Sequence, residues 1–249
     1  MSVITPSPPV RVRKLSGHVR TVSEITAADR GHMFQLMEEH YAHVEYARFA
    51  SDLAEKQWIL EVRDESGELR GFSTQMLLEA IVEGRPVRAL FSGDTIVHRE
   101  DWGQSALTQQ WGRFALQLMR RYADRPLYWF LISKGYKTYR FLPVFFREFY
   151  PRYDRATPTQ VSGVLATFAR QKFGEQYDEA QGIIAADTEG CRLRPGVAAL
   201  TAERLQDPHV AYFQERNPRH ESGDELCCLA PLTPENFTAA AYRVIGERP

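Results

Sequence analysis

The feature that most constrains this chain is the run from 86 to 132, in which two apolar segments flank one amphipathic segment. PVRALFSGDTIV (86–97) and RPLYWFLI (125–132) are apolar and of strand length. Between them, residues 106–123 carry apolar side chains at steps of three and four, which predicts a helix with one buried face. Strand, helix and strand with short connections predict a βαβ unit with parallel strands and a right-handed crossover. Backbone N–H groups at the mouth of such a unit can hold an anion, so we expect the functional site there.

The segments before this unit predict two helices and an antiparallel meander. Thr26 with Asp29 three residues later is the pattern of a helix N-cap. Two strands flank the turn DESGE, whose glycine suits a tight hairpin, and the second of them leads into the strand that opens the βαβ unit. The predicted elements are a strand over 18–24, helices over 31–44 and 44–58, and strands over 58–63 and 69–82.

The segments after the unit are less regular. Aromatic residues at helical spacing over 133–154 predict a helix in which Pro143 either introduces a kink or marks the first turn. We predict a flexible arm over 1–17, a core over 18–155, and a C-terminal elaboration over 156–249 that packs on the same domain. Within the elaboration we predict helices over 161–173, 201–205 and 209–218, strands over 182–186 and 224–232, and a helix over 233–248 capped by Thr233.

Charge and cysteine usage exclude several classes of protein. The 249 residues carry a formal net charge of −1, which gives no general attraction to nucleic acid or to a membrane surface. No apolar run approaches the roughly 18 residues expected of a membrane-spanning helix. The three cysteines lack CxxC spacing, and the neighbours Cys227 and Cys228 point to opposite faces of a predicted strand. We therefore expect reduced cysteines in a cytoplasmic protein.

The order of elements from Val22 to about Arg152 resembles the GNAT (N-acyltransferase) superfamily. That order is a strand, two helices, a three-stranded meander, a helix, a strand and a helix, and TVSEITAADRGHMFQLMEEHY is similar to the family's first strand and first helix. The resemblance implies an α/β fold on a mixed sheet with a C-terminal elaboration. It also implies an acyltransferase whose donor is acetyl-CoA or a longer acyl-CoA, with no metal.

In that family a Gln/Arg-x-x-Gly-x-Gly/Ala loop before the helix binds the pyrophosphate of CoA through backbone N–H groups. Gly103 and the small Ser105 fit this pattern here, whereas Glu100 departs from it. Glu100 and Asp101 disfavour a pyrophosphate unless they turn away, and the alternative is that they only cap the helix. The resemblance implies cofactor contacts from Ile96, Val97, Arg99, Gly103, Gln104 and Ser105. Lys134 and Lys137 open the strongest local run of basic residues in the chain, which suits the phosphates of CoA or an acidic carrier protein; a solvated helix face is the alternative.

Amine acylation needs a base for the attacking amine and an acid for the leaving thiolate. Asp94 or His98 can act as the base, and the alternatives are a structural carboxylate near a bulge at Gly93 and a histidine without a role. Family members often place a tyrosine acid in the helix after the fifth strand. Tyr139 is our choice there, although its context does not match, and a core aromatic is the alternative. The period of two along a strand predicts one shared face for Leu90, Ser92, Asp94, Ile96 and His98.

The richest cluster of acids and histidines lies at the end of the first predicted helix. Glu39 and His43 are one helical turn apart, and His40 with His43 has the HxxH spacing of some metal ligands. The resemblance implies that Glu39, His40 and His43 border the acceptor pocket. A solvated helix end and a metal site are the alternatives.

Our hypothesis from the sequence is an acyltransferase that moves an acyl group from CoA, or from a carrier protein, to an amine of a small molecule. The aromatic segments LYWFLI and FLPVFFREFY suggest a pocket larger than an acetyl group needs. The alternative is a non-catalytic GNAT-like binding or regulatory protein. An unpaired strand over 224–232 leaves a homodimer open.

Overall fold

The computed structural model describes residues 13–187 and 190–247, so positions 1–12 of the predicted arm lie outside the described residues. Ser16 and Gly17 belong to the first strand rather than to the arm. The strands are β1 (Ser16–Thr21), β2 (Tyr41–Ala42), β3 (Trp58–Arg63), β4 (Leu69–Val82), β5 (Arg85–Val97), β6 (Leu127–Ser133), β7 (Tyr177–Asp178), β8 (Ile183–Ile184), β9 (Arg192–Leu193) and β10 (Glu225–Pro231). The helices are α1 (Ala27–His40), α2 (Tyr46–Ala54), α3 (Ala106–Arg121), α4 (Tyr136–Tyr139), α5 (Phe141–Phe145), α6 (Thr159–Phe173), α7 (Pro208–Arg216) and α8 (Ala239–Ile245).

One eight-stranded mixed sheet runs in the order β1-β3-β4-β5-β6-β10-β8-β7. Among the described strands, β5 and β6 are the parallel pair, joined through α3, and the other pairs are antiparallel. The predicted meander, the βαβ unit and the α/β fold on a mixed sheet are therefore confirmed. Strand β10 lies between β6 and β8, so the suggestion that it pairs across a dimer as an unpaired edge is wrong.

Helices cover both faces of the sheet. Helices α3, α4, α5, α7 and α8 pack on one face, here called the α3 face, and α1, α2 and α6 pack on the other, the α1 face. Neighbouring Cys227 and Cys228 contribute to the cores of opposite faces, as the strand period predicts. None of the helices in the described ranges is both long and apolar enough to cross a membrane.

The predicted cap of α1 is confirmed, but its predicted end is wrong. The Thr26 hydroxyl accepts from the Asp29 N–H, and the Asp29 carboxylate accepts from the Thr26 N–H, which is a capping box. The helix ends at His40, because Tyr41 and Ala42 form a strand with β9, about 150 residues later in the chain. The predicted shared helix face of Glu39 and position 43 therefore does not exist.

The chain after β6 differs from a single long helix. Helices α4 and α5 are short and separate, and Pro143 lies in the first turn of α5, which confirms the second of its two predicted roles. Near the C-terminus, Thr233 precedes a 3₁₀ turn, and Thr238 caps α8 by accepting from the Ala241 N–H. The predicted cap at Thr233 is therefore wrong.

A β-bulge in β5 corrects the predicted alternation of its side chains. Thr74 of β4 faces two residues of β5, Gly93 and Asp94. One extra residue reverses the order of inward and outward side chains. Leu90 accordingly packs on the α3 face and Ile96 on the α1 face, so the prediction of one shared face along β5 is wrong. The bulge needs glycine, because a Cβ at Gly93 would lie 2.6 Å from Thr74 Oγ1.

Candidate active site between the separating parallel strands

The two parallel strands at the centre of the sheet separate next to the bulge. Strands β5 and β6 pair as far as Ser92 and Leu131. Beyond that point β5 continues to Val97 against β4, and β6 continues to Ser133 against β10. Within the described chain, the facing edges beyond the split have no partner strand, so their backbone N–H and C=O groups are free for a ligand with amide groups.

A cavity of about 620 Å³ opens at this split and has three regions. We call them the mouth, at the start of α3; the aromatic arm, under α3 and α5 on the α3 face; and the polar chamber, towards the α1 face. The mouth is lined by Trp102, Gly103, Gln104 and Lys137, the aromatic arm by Leu107, Trp111, Trp129, Phe141, Phe145 and Phe146, and the polar chamber by Tyr41, Arg48, Asp52, Asp94, Lys134, Lys172, Cys191 and Glu225.

The mouth presents free backbone N–H groups at the first turn of α3. The N-cap residue Ser105 makes no capping hydrogen bond with its side chain. Gly103 has φ +93°, and no atom lies within 4 Å of the position of an added Cβ. The Trp102 indole donates to the Val97 carbonyl at 2.9 Å, which fixes the loop to the end of β5. An uncapped helix of 16 residues with an accessible glycine before it suits an anion.

Two cations lie against the Trp102 ring at this mouth. The Lys137 ammonium lies 3.8 Å from the ring centroid, and the Arg99 guanidinium lies 5.4 Å from it. Burial, together with the positive charges of Arg204 and Arg99, lowers the pKa of Lys137. Among the described residues, no carboxylate lies within salt-bridge distance of Lys137, Arg99 or Arg204. Mutually repelling cations without counterions favour a bound anion.

The two carboxylates that disfavoured an anion in this loop are both bonded to Arg70. Asp101 is 2% exposed and accepts from Arg70 Nε at 2.8 Å, and Glu100 accepts from Arg70 Nη2 at 3.0 Å. Glu100 also accepts from Arg13, a contact that lowers the pKa of Glu100. The side chain of Gln104, a predicted cofactor contact, donates to Asp101 and so stabilises the loop itself. Arg70 of β4 thus pairs with both acids, as well as with Glu68, and links the loop to the sheet.

Asp94 lies where the cavity passes from the mouth into the polar chamber. Burial raises the pKa of Asp94 to about 6; the charge of Asp52 adds to this effect, and Lys56 and Lys134 oppose it. A carboxylate with a pKa near neutrality is suited to general-base catalysis. The predicted catalytic residue Asp94 thus lines the cavity with a suitable acidity.

A cluster that the sequence did not bring together surrounds Asp94. Lys134 forms an ion pair with Glu225 at 3.0 Å, and its ammonium lies 5.9 Å from the Tyr41 ring centroid. Burial raises the pKa of Tyr41, so its hydroxyl stays protonated, and burial raises the pKa of the Cys191 thiol to about 11. Lys134 therefore lies in the chamber with a counterion of its own, and the phosphate contact predicted for it stays a prediction.

The predicted acceptor residues have three different environments. His40 lines the cavity and is 4% exposed; its Nδ1 donates to the Leu36 carbonyl, and its Nε2 has no partner among the described residues. Burial lowers the pKa of His40, so the ring is neutral and Nε2 is a free acceptor. His43 lines the cavity and accepts from Arg192 at 2.7 Å. Glu39 instead lies beside His98.

Two predicted catalytic residues are not among those that line the cavity. His98 Nδ1 accepts from Arg70 at 2.8 Å, and Nε2 lies 3.7 Å from the Glu39 carboxylate. Tyr139 is fully buried, and its hydroxyl donates to the Pro151 carbonyl at 2.9 Å. The structure thus places both side chains in hydrogen bonds away from the cavity, and their catalytic roles stay predictions.

The aromatic arm is held in place by one hydroxyl. Ser92 Oγ accepts from the indole N–H of Trp111 at 3.2 Å and of Trp129 at 2.9 Å, and it donates to the Gln75 side chain at 2.7 Å. The centroids of the two indole rings lie 4.4 Å apart, and the Phe146 ring centroid lies 5.3 Å from that of Trp129. The arm therefore has a rigid aromatic wall whose polar atoms are already satisfied.

Comparisons with known proteins return no family model and no curated protein that match this chain. A probable N-acyltransferase from Enterococcus faecalis is 15% identical with a TM-score of 0.40; the alignment covers 54% of this chain and 33% of that one, so the chain spans about a third of that protein's length. A GNAT family N-acetyltransferase from Escherichia coli, solved with CoA, is 17% identical with a TM-score of 0.38, over 55% of this chain and 71% of that one. An acyl-CoA N-acyltransferase from Pseudomonas aeruginosa is 17% identical with a TM-score of 0.35, over 47% and 79%. All of these TM-scores lie below 0.5, so it is the cavity's own residues that point to a function.

Several residues of the cavity were missed by the sequence analysis. Tyr41, Cys191 and Glu225 come from three separate parts of the chain, and only their packing around Asp94 joins them. Arg204, whose charge acts on Lys137 at the mouth, was also missed, because it lies in a 3₁₀ turn of the elaboration that no local pattern marks. Within the described residues, no group of three or more His, Cys, Asp or Glu is arranged to hold a metal ion.

Proposed function

We propose that this protein transfers an acyl group from a thioester donor to an amine of a small molecule. One observation carries the proposal: a single cavity joins the uncapped start of a helix, a gap between separating parallel strands, and the half-buried carboxylate Asp94. A CoA thioester has a pyrophosphate, an amide-bearing pantetheine arm and an electrophilic carbonyl in that same order.

The donor's polar parts match the mouth and the gap. Its pyrophosphate lies against the N–H groups after Gly103, beside Arg99 and Lys137, where the cations have no counterion among the described residues. Its pantetheine amides bond the free edges of β5 and β6. Ile96 and Val97 line the gap between the strands. The unpartnered Nε2 of His40 accepts from an amide N–H of the pantetheine.

The reaction places Asp94 and Tyr41 in opposite proton-transfer roles. The nitrogen lone pair of a neutral amine attacks the thioester carbonyl carbon, and the carboxylate of Asp94 takes a proton from that nitrogen. The C–S bond then breaks, its electron pair leaves with sulfur, and the thiolate takes a proton from the Tyr41 hydroxyl. Solvent restores both side chains, so the products are an amide and a free thiol.

The polar chamber is the proposed acceptor pocket. Asp52 pairs with Lys56 at 2.6 Å and, like Asp94, lies on the path of a cationic amine. Burial opposes ionisation of Asp52, but Lys56 and Lys172 hold its pKa below the ordinary value, so it keeps its charge. Residues on α2 and from the elaboration, among them Arg48 and Cys191, close the far side. An acceptor that is small, polar and amine-bearing fits this pocket.

The test is thiol release from acetyl-CoA and dodecanoyl-CoA with a panel of amino acids and polyamines. We expect amine-dependent release that Asp94→Asn lowers by about 10²–10⁴-fold. Glu65→Gln, the same chemical change in an exposed turn, is the control and is expected to keep full activity. Binding of CoA without any amine-dependent release would support the non-catalytic alternative instead.

A further inference from the structure

We infer that the aromatic arm holds the hydrocarbon chain of the donor, so that the natural donor is a medium- or long-chain fatty acyl thioester rather than an acetyl one. This inference rests on the proposed function and specifies its substrate. The observation behind it is that the cavity continues past the strand split into a pocket with an aromatic wall.

The aromatic arm offers a ligand apolar contacts but few free hydrogen-bonding groups. Both indole N–H groups donate to Ser92, which in turn donates to Gln75, so these polar atoms are not available to a ligand. The opposite wall is α5, where Phe141 and Phe145 stack at 5.7 Å. A pantetheine arm or a polar acceptor would leave its hydrogen-bonding groups unpaired here, at a cost of about 1–3 kcal/mol each.

The arm is also too long for an acetyl group. Leu107 and Trp111 lie one helical turn apart on α3, and Phe141 and Phe145 lie one turn apart on α5, so each wall extends about 6 Å. An acetyl methyl would fill only the entrance. A longer chain contacts both walls and recovers the dispersion energy that an empty apolar pocket forfeits.

The other two regions are unsuited to a hydrocarbon chain. The mouth carries Arg99, Lys137 and free backbone N–H groups, and the polar chamber contains the ion pairs Lys134–Glu225 and Lys172–Asp52. Placing methylenes there would desolvate these charges without compensation. The three regions thus separate the donor's phosphates, its chain and the amine acceptor around the thioester carbonyl.

The experiment measures the affinities of CoA, acetyl-CoA, octanoyl-CoA and dodecanoyl-CoA by calorimetry, below their micelle concentrations, together with dodecanoyl-pantetheine. Each methylene that fits the arm should tighten binding roughly fourfold, which gives on the order of a hundredfold for three or four of them. Phe145→Ala should remove at least about tenfold of this gain while leaving CoA and acetyl-CoA unchanged. Val144→Ala, on the exposed side of the same helix, is the matched control and should leave the whole series unchanged.

The outcomes separate this inference from the proposed function. If CoA binds but chain length adds nothing, or if Phe145→Ala and Val144→Ala behave alike, the inference is overturned and the proposed function stands. If dodecanoyl-pantetheine binds and Phe145→Ala weakens it while no CoA ester binds, the acyl chain lies in the arm and the donor comes from a carrier protein. If no acyl compound binds, both are overturned.

Discussion

Replacing Asp94 by Asn should stabilise the protein at alkaline pH while it removes activity. A folded-state pKa of about 6, against an ordinary value of 3.8, means that the folded protein holds the Asp94 proton more tightly than the unfolded chain does. The free energy of unfolding therefore falls as pH rises from about 4 to about 6, and the full loss is present above that range. It amounts to about 3 kcal/mol at pH 8 and about 1 kcal/mol at pH 4.5.

Asparagine has the shape of the carboxyl group but no charge, so Asp94→Asn removes this loss. We expect a melting temperature roughly 6–12 °C above wild type at pH 8, and a much smaller gain at pH 4.5. Differential scanning calorimetry at the two pH values measures both, with Glu65→Gln as the control that should change neither. A variant no more stable than wild type at pH 8, or a gain independent of pH, would refute the view of Asp94 as a desolvated carboxylate.

Three further predictions concern the loop, the aromatic arm and the proposed acid. Arg70→Met leaves Asp101 buried without its partner and should cost about 3–5 kcal/mol in chemical denaturation and weaken CoA binding; unchanged stability would contradict the pairing. Ser92→Ala leaves two buried indole N–H groups unsatisfied and should cost about 1–3 kcal/mol, with altered near-ultraviolet circular dichroism from Trp111 and Trp129; an unchanged spectrum would speak against this contact. Tyr41→Phe should lower kcat by about 10²-fold or more with little change in KM; an unaltered kcat would remove Tyr41 from the mechanism.

Much of the fold could be predicted from the sequence because its signals are local. The apolar runs on either side of α3 and the Thr26–Asp29 capping box each lie within a few residues. The bulge at Gly93 was anticipated, but its effect on side-chain order was not, since it depends on the register against β4. The end of α1 was placed too late because Tyr41 and Ala42 pair with β9, a strand far along the chain that the local pattern cannot reveal.

The candidate site was predicted in part for the same reason. The loop around Gly103 and the carboxylate of Asp94 lie on the βαβ unit, where sequence order fixes their positions. Glu100 was interpreted as a departure from the family pattern, and only the tertiary contact with Arg70 shows how its charge is neutralised. Tyr139 was chosen by its place in the chain, and the sequence did not show that its side chain is buried and donates to the Pro151 carbonyl.

The most direct test of the central claim is the affinity of CoA for Gly103→Ala compared with Gly67→Ala. Both glycines have φ near +90° and open space at the Cβ position, so both variants should lose a similar stability of about 1 kcal/mol. Only Gly103 lies at the mouth, where a methyl group would obstruct the approach of a pyrophosphate to the backbone. We expect Gly103→Ala to weaken CoA at least about tenfold, which is 1.4 kcal/mol, and Gly67→Ala to bind as wild type does. Equal affinities in the two variants, or no CoA binding by the wild type, would contradict a CoA thioester site at the start of α3.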